Sequence, residues 1–259
     1  MSRALLLYLA ALTLLFNTAR AENTPPSTTM LGAAVWSRPA YNGADTNRLS
    51  LIPIISYYGS PWFARTTFGV LEGGARIELL SGLTLGGQLA YEGGRDSSES
   101  EFLAARNLPT LSPGVSWGVH AELEKKLGPM PIIALLRYRN DVENFRGEQT
   151  DIRLIAGIFS NNGLKAGIFA QTTWSNKISA NYYYGLSASQ SSKSGLPAFD
   201  AQSGELFNAY GLLWSYDIYS QWIILGSVET RQVKSAVIDS PLVQQSSNRY
   251  VSLGLAFQF

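Results

Sequence analysis

Apolar and polar positions alternate along most of this chain with a period of two. In residues 250–259, Val251, Leu253, Leu255, Phe257 and Phe259 fall on one side, and Tyr250, Ser252, Gly254, Ala256 and Gln258 on the other. Successive side chains of a β-strand point to opposite faces, so this segment has one wholly apolar face and one that is small or polar. The pattern recurs in mid-chain. Leu83, Leu85, Leu89 and Tyr91 oppose Thr84, Gln88 and Glu92. Val115, Trp117, Val119, Ala121 and Leu123 oppose Ser116, Gly118, His120, Glu122 and Glu124. Ile132, Ala134, Leu136 and Tyr138 oppose Arg137 and Arg139; Ile152, Leu154, Ala156 and Ile158 alternate with Arg153 and Gly157. Leu164, Ala166, Ile168, Ala170 and Trp174 alternate with Lys165, Gly167, Gln171 and Thr173. A soluble sheet seldom leaves an edge and tip as apolar as residues 250–259. A strand between lipid and a polar lumen is written this way.

Twelve segments of this kind are predicted, near residues 29–38, 48–58, 62–68, 73–80, 83–93, 115–126, 131–141, 151–159, 164–174, 207–215, 222–232 and 250–259. They define an all-β fold, an antiparallel transmembrane β-barrel of about twelve strands. Ten is the alternative count, because residues 62–80 also read as a single strand. The connections alternate in length. Those at 59–61, 127–130, 161–163 and 216–220 are tight, and Asn161-Asn-Gly163 is a hairpin signal because Asn and Gly accept positive φ. Those at 39–47, 94–114, 142–150, 175–206 and 234–248 are long and read as polar loops. Outer-membrane barrels have short periplasmic turns and long external loops, which assigns the two ends. Residues 250–259 then run down to the periplasm and pair with residues 29–38 to close the barrel.

Composition and targeting agree with this. Arg3 precedes an apolar run, residues 4–16, and a small-x-small site, Ala19-Arg20-Ala21. This reads as a secretory signal peptide over residues 1–21, leaving residues 22–259 as the barrel domain. The chain is 46% hydrophobic and 15% charged, well below the ~25% charged residues usual for soluble domains. It has no Cys, and a closed barrel satisfies its backbone groups without disulfides. The net charge of +1 and the lack of a basic run argue against a nucleic-acid partner.

Candidate chemistry is sparse. His120 is the single histidine, set beside Glu122 and Glu124 on the polar face. It reads either as a general base or as a member of a lumenal charge network. The second is favoured, since no G-x-S-x-G nucleophile motif exists. One His without Cys provides no metal site, and no cofactor is expected. The inward charges Glu92, Glu122, Glu124, Arg137, Arg139, Arg153, Lys165, Glu229 and Arg231 mix both signs. That favours cross-barrel ion pairing over a selective pore. Trp36, Tyr57, Tyr58, Trp62, Tyr91, Trp174, Trp214, Tyr216, Tyr219 and Trp222 lie near strand ends, where interfacial aromatic girdles belong. Tyr182, Tyr183 and Tyr184 are alternative stacking platforms for carbohydrate.

Two loops go beyond generic barrel features. One is Asn181-Tyr-Tyr-Tyr-Gly-Leu-Ser187 followed by Ser194-Gly-Leu-Pro-Ala-Phe-Asp200, which includes Tyr183, Tyr184, Gly185, Ser194, Gly195, Leu196 and Pro197. The other is Asp239-Ser240-Pro241-Leu-Val243. With the Ser37-Arg-Pro-x-Tyr41-x-Gly43 loop and Trp62-Phe-Ala-Arg65, the chain resembles the MipA/OmpV family of outer-membrane proteins. Ser252, Gly254, Phe257 and Phe259 are similar to the C-terminal signature read by the barrel assembly machinery. The resemblance implies a Gram-negative outer-membrane barrel without cofactor or catalytic residues, embedded in outer-membrane lipid. One member of that family is described as a scaffold joining a murein hydrolase to a murein polymerase, and others as adhesins or stress-linked proteins. A small uptake channel and a surface adhesin are therefore the alternatives to a scaffold. The loop motifs are expected to be structural, folding the long loop over or into the barrel mouth.

Overall fold

The computed structural model describes residues 29–259 except 68 and 144. The expected signal peptide and the polar lead-in at 22–28 lie outside the described residues. Twelve strands are present: β1 (Met30–Pro39), β2 (Asn47–Tyr58), β3 (Trp62–Thr67), β4 (Val70–Leu80), β5 (Leu83–Glu92), β6 (Gly114–Leu127), β7 (Met130–Asp141), β8 (Glu148–Asn161), β9 (Leu164–Ser175), β10 (Gly204–Asp217), β11 (Trp222–Val233) and β12 (Ser247–Gln258). Each pairs antiparallel with its chain neighbours, and β1 pairs with β12, so the sheet is a closed barrel. The stretch 62–80 is two strands, joined at Gly69, whose φ of +82° suits a residue without a side chain.

The alternation does what the sequence pattern predicts. Leu85, Leu89, Tyr91, Val115, Trp117, Val119, Leu136, Ile152, Leu154, Ile168, Val251, Leu253 and Leu255 are exposed on the outer wall, while Gln88, Ser116, His120, Arg137, Arg153, Gln171 and Thr173 are buried inside. β8 slips at a bulge between Gly157 and Phe159, which leaves both Ile158 and Phe159 exposed. Closure rests on small residues. Gly32 faces Ala256 and Ala34 faces Gly254 across the β1–β12 seam. A Cβ on Gly254 would lie 2.5 Å from Ile54 Cδ1 and 2.7 Å from Ala34 Cβ, so the inner seam is packed to the backbone. The tight turn after β8 has Asn162 at φ 48° and Gly163 at φ 79°, the left-handed pair a two-residue hairpin requires.

Two readings are corrected. Trp36 and Tyr58 do not belong to an aromatic girdle. Trp36 faces inward against Tyr250, with ring centroids 5.7 Å apart, and the Tyr58 ring lies 4.5 Å from the inward Arg76 guanidinium. Both occupy inward parity positions of their strands, so depth near a strand end alone does not fix the side. The external connections are also not plain polar loops. They carry α1 (Glu101–Ala105), α2 (Lys177–Tyr184) and α3 (Ala188–Ser194). They are short, and a helix that short is marginal alone. Caps and packing hold them. The side chains of Ser100, Asn176 and Ser187 accept from the backbone N–H groups of Leu103, Ser179 and Gln190 respectively. Gly195, left-handed at φ 71°, closes α3.

Candidate functional site

Two features meet along the barrel axis: a filled lumen, and a cap built from the long loops. The pairing registers place Ala34, Ile54, Arg65, Glu72, Gln88, His120, Arg137, Asp151, Gln171, Ala209 and Glu229 at about one depth, nearly one from each strand. All are buried. The strands β3 to β9 supply long charged side chains; β10, β11, β12, β1 and β2 supply mostly Ala, Gly, Ser and Ile. One wall thus fills the space that the other leaves.

The charged wall is a connected network. Glu72 accepts from Arg65 Nε at 2.5 Å, Arg137 Nη1 at 2.9 Å and Gln88 Nε2 at 3.1 Å. Asp151 accepts from Arg137 Nη2 at 2.7 Å, Arg139 Nη2 at 3.1 Å and Thr173 Oγ1 at 2.7 Å. Arg65 also reaches Glu122 at 2.7 Å, and Arg139 reaches Glu92 at 2.9 Å. Arg65–Glu122 and Arg137–Glu72 each span three strands, so these pairs cross the interior. Buried charge is tolerated only when paired and hydrogen-bonded, and here Glu72, Asp151 and Glu92 each meet two or more donors, while Glu122 pairs with Arg65. His120 joins this network through Gln88 and stands edge-on to Phe63 at 5.3 Å. Among the described residues, its hydrogen bond goes to the Gln88 amide oxygen and none to a hydroxyl. Glu124 and Lys165 lie at the short-turn rim; Glu124 is exposed, and Lys165 pairs there with Asp217 at 3.2 Å.

Above the network, four external connections share an apolar core. Tyr41, Leu103, Leu108, Leu186 and Leu242 form one cluster; Ala180, Tyr184, Ala201, Leu206, Val233 and Val237 form another. Phe199 packs against both. The sequence motifs converge here. Ser240 Oγ donates to the Tyr184 carbonyl at 2.6 Å, and Asn42 Nδ2 donates to the Tyr184 hydroxyl at 2.8 Å. Tyr41 Oη donates to the Leu242 carbonyl at 2.9 Å. Leu186 and Phe199 exchange backbone bonds at 2.8 and 2.9 Å, which ties the tyrosine-glycine stretch to the Ser-Gly-Leu-Pro stretch. Ser191 Oγ donates to the Leu196 carbonyl, while Pro197, Gly195 and Asp239 stay exposed. Gly185 sits so close to Asn181 that a side chain would strike its carbonyl oxygen. Gly43, at φ +102°, accepts from the backbone of Gln244 and Gln245 and donates to Asn248. Burial pushes the Tyr184 phenol well above its ordinary value, and Tyr184 is no free stacking platform.

Sequence reasoning missed Arg65, Glu72 and Asp151, the centres of the network. Their signal was present: all three fall on inward parity positions of strands. It was weak because Arg65 and Glu72 flank the short β3–β4 turn, where alternation is brief. The four residues expected to resemble an assembly signature lie on β12 or just beyond it: Ser252 bonds Ser227 at 2.7 Å, and Phe257 packs on Trp222 at 5.1 Å and on Phe259 at 5.0 Å, with Gly254 on the inner face.

A closed twelve-stranded antiparallel barrel with a lipid-facing apolar wall and a polar interior is an outer-membrane barrel. The family described as MltA-interacting protein MipA matches residues 31–259, and the chain belongs to that family. It is 28% identical over 102 residues to the MltA-interacting protein of Escherichia coli (strain K12), a stretch covering 39% of this chain and only 40% of that relative. It is 23% identical over 232 residues to the putative outer membrane protein YiaT of the same strain, covering 87% of this chain and 88% of that one. Among solved structures, a NanC porin superposes with TM-score 0.50 at 11% identity, over 88% of this chain and all of that one. That last likeness is one of fold. The protein is localised to the outer membrane.

Proposed function

We propose that this protein is a closed, non-enzymatic barrel that serves as a scaffold at the outer membrane, presenting its periplasmic rim to murein-synthesising and murein-hydrolysing enzymes. The filled lumen carries this reading. An inner wall buried at one depth on almost every strand, under a packed cap, gives little passage to solute and no assembled catalytic group. The name of the Escherichia coli relative supplies the class of partner, a murein hydrolase. The surface for such a partner is small. The periplasmic turns are two to four residues long, so contact falls on the strand ends. Leu80, Leu127, Tyr219 and Phe259 are each more than 60% exposed there, a scattered apolar rim suited to a partner held against the membrane. Affinity capture on the purified barrel tests this: murein hydrolases and polymerases are enriched over an unrelated barrel of similar size. Equal recovery on both would defeat the scaffold reading.

A further inference from the structure

The lipid-facing wall of the barrel is not evenly filled. Strand β3 begins its pairing with β4 at Trp62↔Ala75. Beyond Arg76, β4 runs on to Leu80 paired with β5 alone, so the wall has a step beneath the turn at Pro61. A groove of about 710 Å³ opens at this step and crosses β4, β5, β6 and β7 to reach Thr150 of β8. Its floor follows one cross-strand row: Ala75↔Gly87, Gly87↔Val119, Val119↔Tyr138 and Tyr138↔Thr150. Side chains of such a row share one face of the sheet. Val119 is 52% exposed, so that face is the outer one. The floor starts with Ala and Gly, whereas the rows beside it carry Leu89 and Trp117 on one bank and Leu85 and Leu136 on the other, all exposed. A small floor between large banks makes the furrow.

The groove is closed from behind. The inward Gly86 lies against the His120 ring, and a Cβ there would stand 2.3 Å from His120 Cε1. The filled lumen therefore backs the floor, and the groove opens toward the bilayer. Its surface is almost wholly apolar. Four strand spacings of about 4.8 Å make it roughly 19 Å long. Barrel strands are tilted, so a furrow running across them is tilted too. One leaflet of a bilayer core is about 15 Å thick, so the length suits a single acyl chain lying aslant. Lipid tails are as apolar as leucine, and hydrophobicity alone gives a chain no reason to prefer the groove to the surrounding bilayer. Packing does. An empty furrow leaves its lining atoms without contact partners, and a chain seated in it gains contacts on three sides.

We propose that this groove binds one acyl chain of a membrane phospholipid, which enters from the periplasmic leaflet at Pro61 and lies against Ala75, Gly87 and Ala121. The site differs from the lipid belt around any such barrel, because it holds one chain in one place while the remaining wall meets chains that exchange freely. It is independent of the scaffold reading, and either can fail without the other.

The test uses the barrel purified from outer membranes and placed in phosphatidylethanolamine vesicles. These contain a small fraction of phosphatidylethanolamine with a diazirine in its acyl chain. After illumination, labelled peptides are mapped by mass spectrometry. Label within residues 75–87 and 119–138 exceeds that on other outward-facing segments severalfold, and it saturates as the labelled fraction rises. Label elsewhere grows in proportion to that fraction. A Cβ on Gly87 meets nothing closer than the Gly118 carbonyl oxygen at 4.0 Å, so Gly87→Leu fills the furrow without disturbing the sheet. In that variant the groove label falls to the average of the wall. Ala170→Leu, on the exposed outer face of β9, leaves the groove label unchanged. Should Gly87→Leu not fold, Ala121→Leu takes its place and gives the same loss. Groove labelling that rises in proportion like the rest of the wall, or that is equal in the unaltered protein and the groove-filling variant, would overturn the proposal. So would preferential groove labelling by a lipid A analogue carrying the same diazirine.

Discussion

At the scale of single residues, the interior is decided by who pairs with whom. Asp151 accepts from two arginines and Thr173 in a place where water does not compete. Asp151→Ala leaves Arg137 and Arg139 short of a partner, so it costs about 3–5 kcal/mol, the usual penalty for breaking a buried pair. Urea unfolding of the refolded barrel measures this. Replacing the network wholesale with apolar residues would cost far less, because no orphan charge remains. Gly254 acts by shape instead. Gly254→Val drives a branched side chain into Ile54 and Ala34, and overpacking of this kind costs about 1–3 kcal/mol. A lowered unfolding temperature with the same strand content by circular dichroism is the expected result.

At the scale of elements, the cap is a separate small core resting on a barrel. Its helices are too short to stand alone. Ser240→Ala removes the hydroxyl that donates to the Tyr184 carbonyl and leaves that buried acceptor unpaired, at a cost of about 1–3 kcal/mol. The expected readout is faster protease cleavage within residues 176–203, with the barrel itself intact. Alkaline pH acts in the same direction. Burial raises the phenols of Tyr41, Tyr183 and Tyr184, so each ionises more easily in the unfolded chain than in the cap. The stability they confer is complete below the ordinary tyrosine value of about 10 and is lost as pH climbs beyond it. Protease sensitivity of the cap therefore rises above about pH 10, before the strands melt.

At the scale of the whole molecule, lumen and cap act in series. Removing the cap alone leaves the charged plug, and loosening the plug alone leaves the cap. In planar bilayers the unaltered protein shows no steady conductance. Exchange of residues 176–203 for a short turn adds little. Combining that exchange with R137A and D151A opens a measurable pore. A steady conductance from the unaltered barrel would refute the closed lumen.

Much of this was legible without coordinates, and the reason is periodicity. A barrel strand repeats every two residues and each strand reports its own faces, so the barrel of ten or twelve strands and the placement of His120, Arg137, Arg139 and Arg153 inside follow from local pattern, while the structure decided that 62–80 is two strands. Even the even strand count needs only the rule that both ends share one side. What the pattern does not carry is distance across the barrel. Glu72 and Arg137 are 65 positions apart in the chain. Only closure brings them within 2.9 Å, and only the small residues of the opposite wall give them room. The cap is the same case. Tyr184, Ser240 and Asn42 come from three loops with no period, and Trp36 lies at an end-of-strand position that parity, not depth, turns inward. Period-two alternation in the chain determined the barrel and its two faces. The tertiary structure alone decided that the lumen is filled and that the loops form one cap, because those facts depend on contacts between segments that no local pattern encodes.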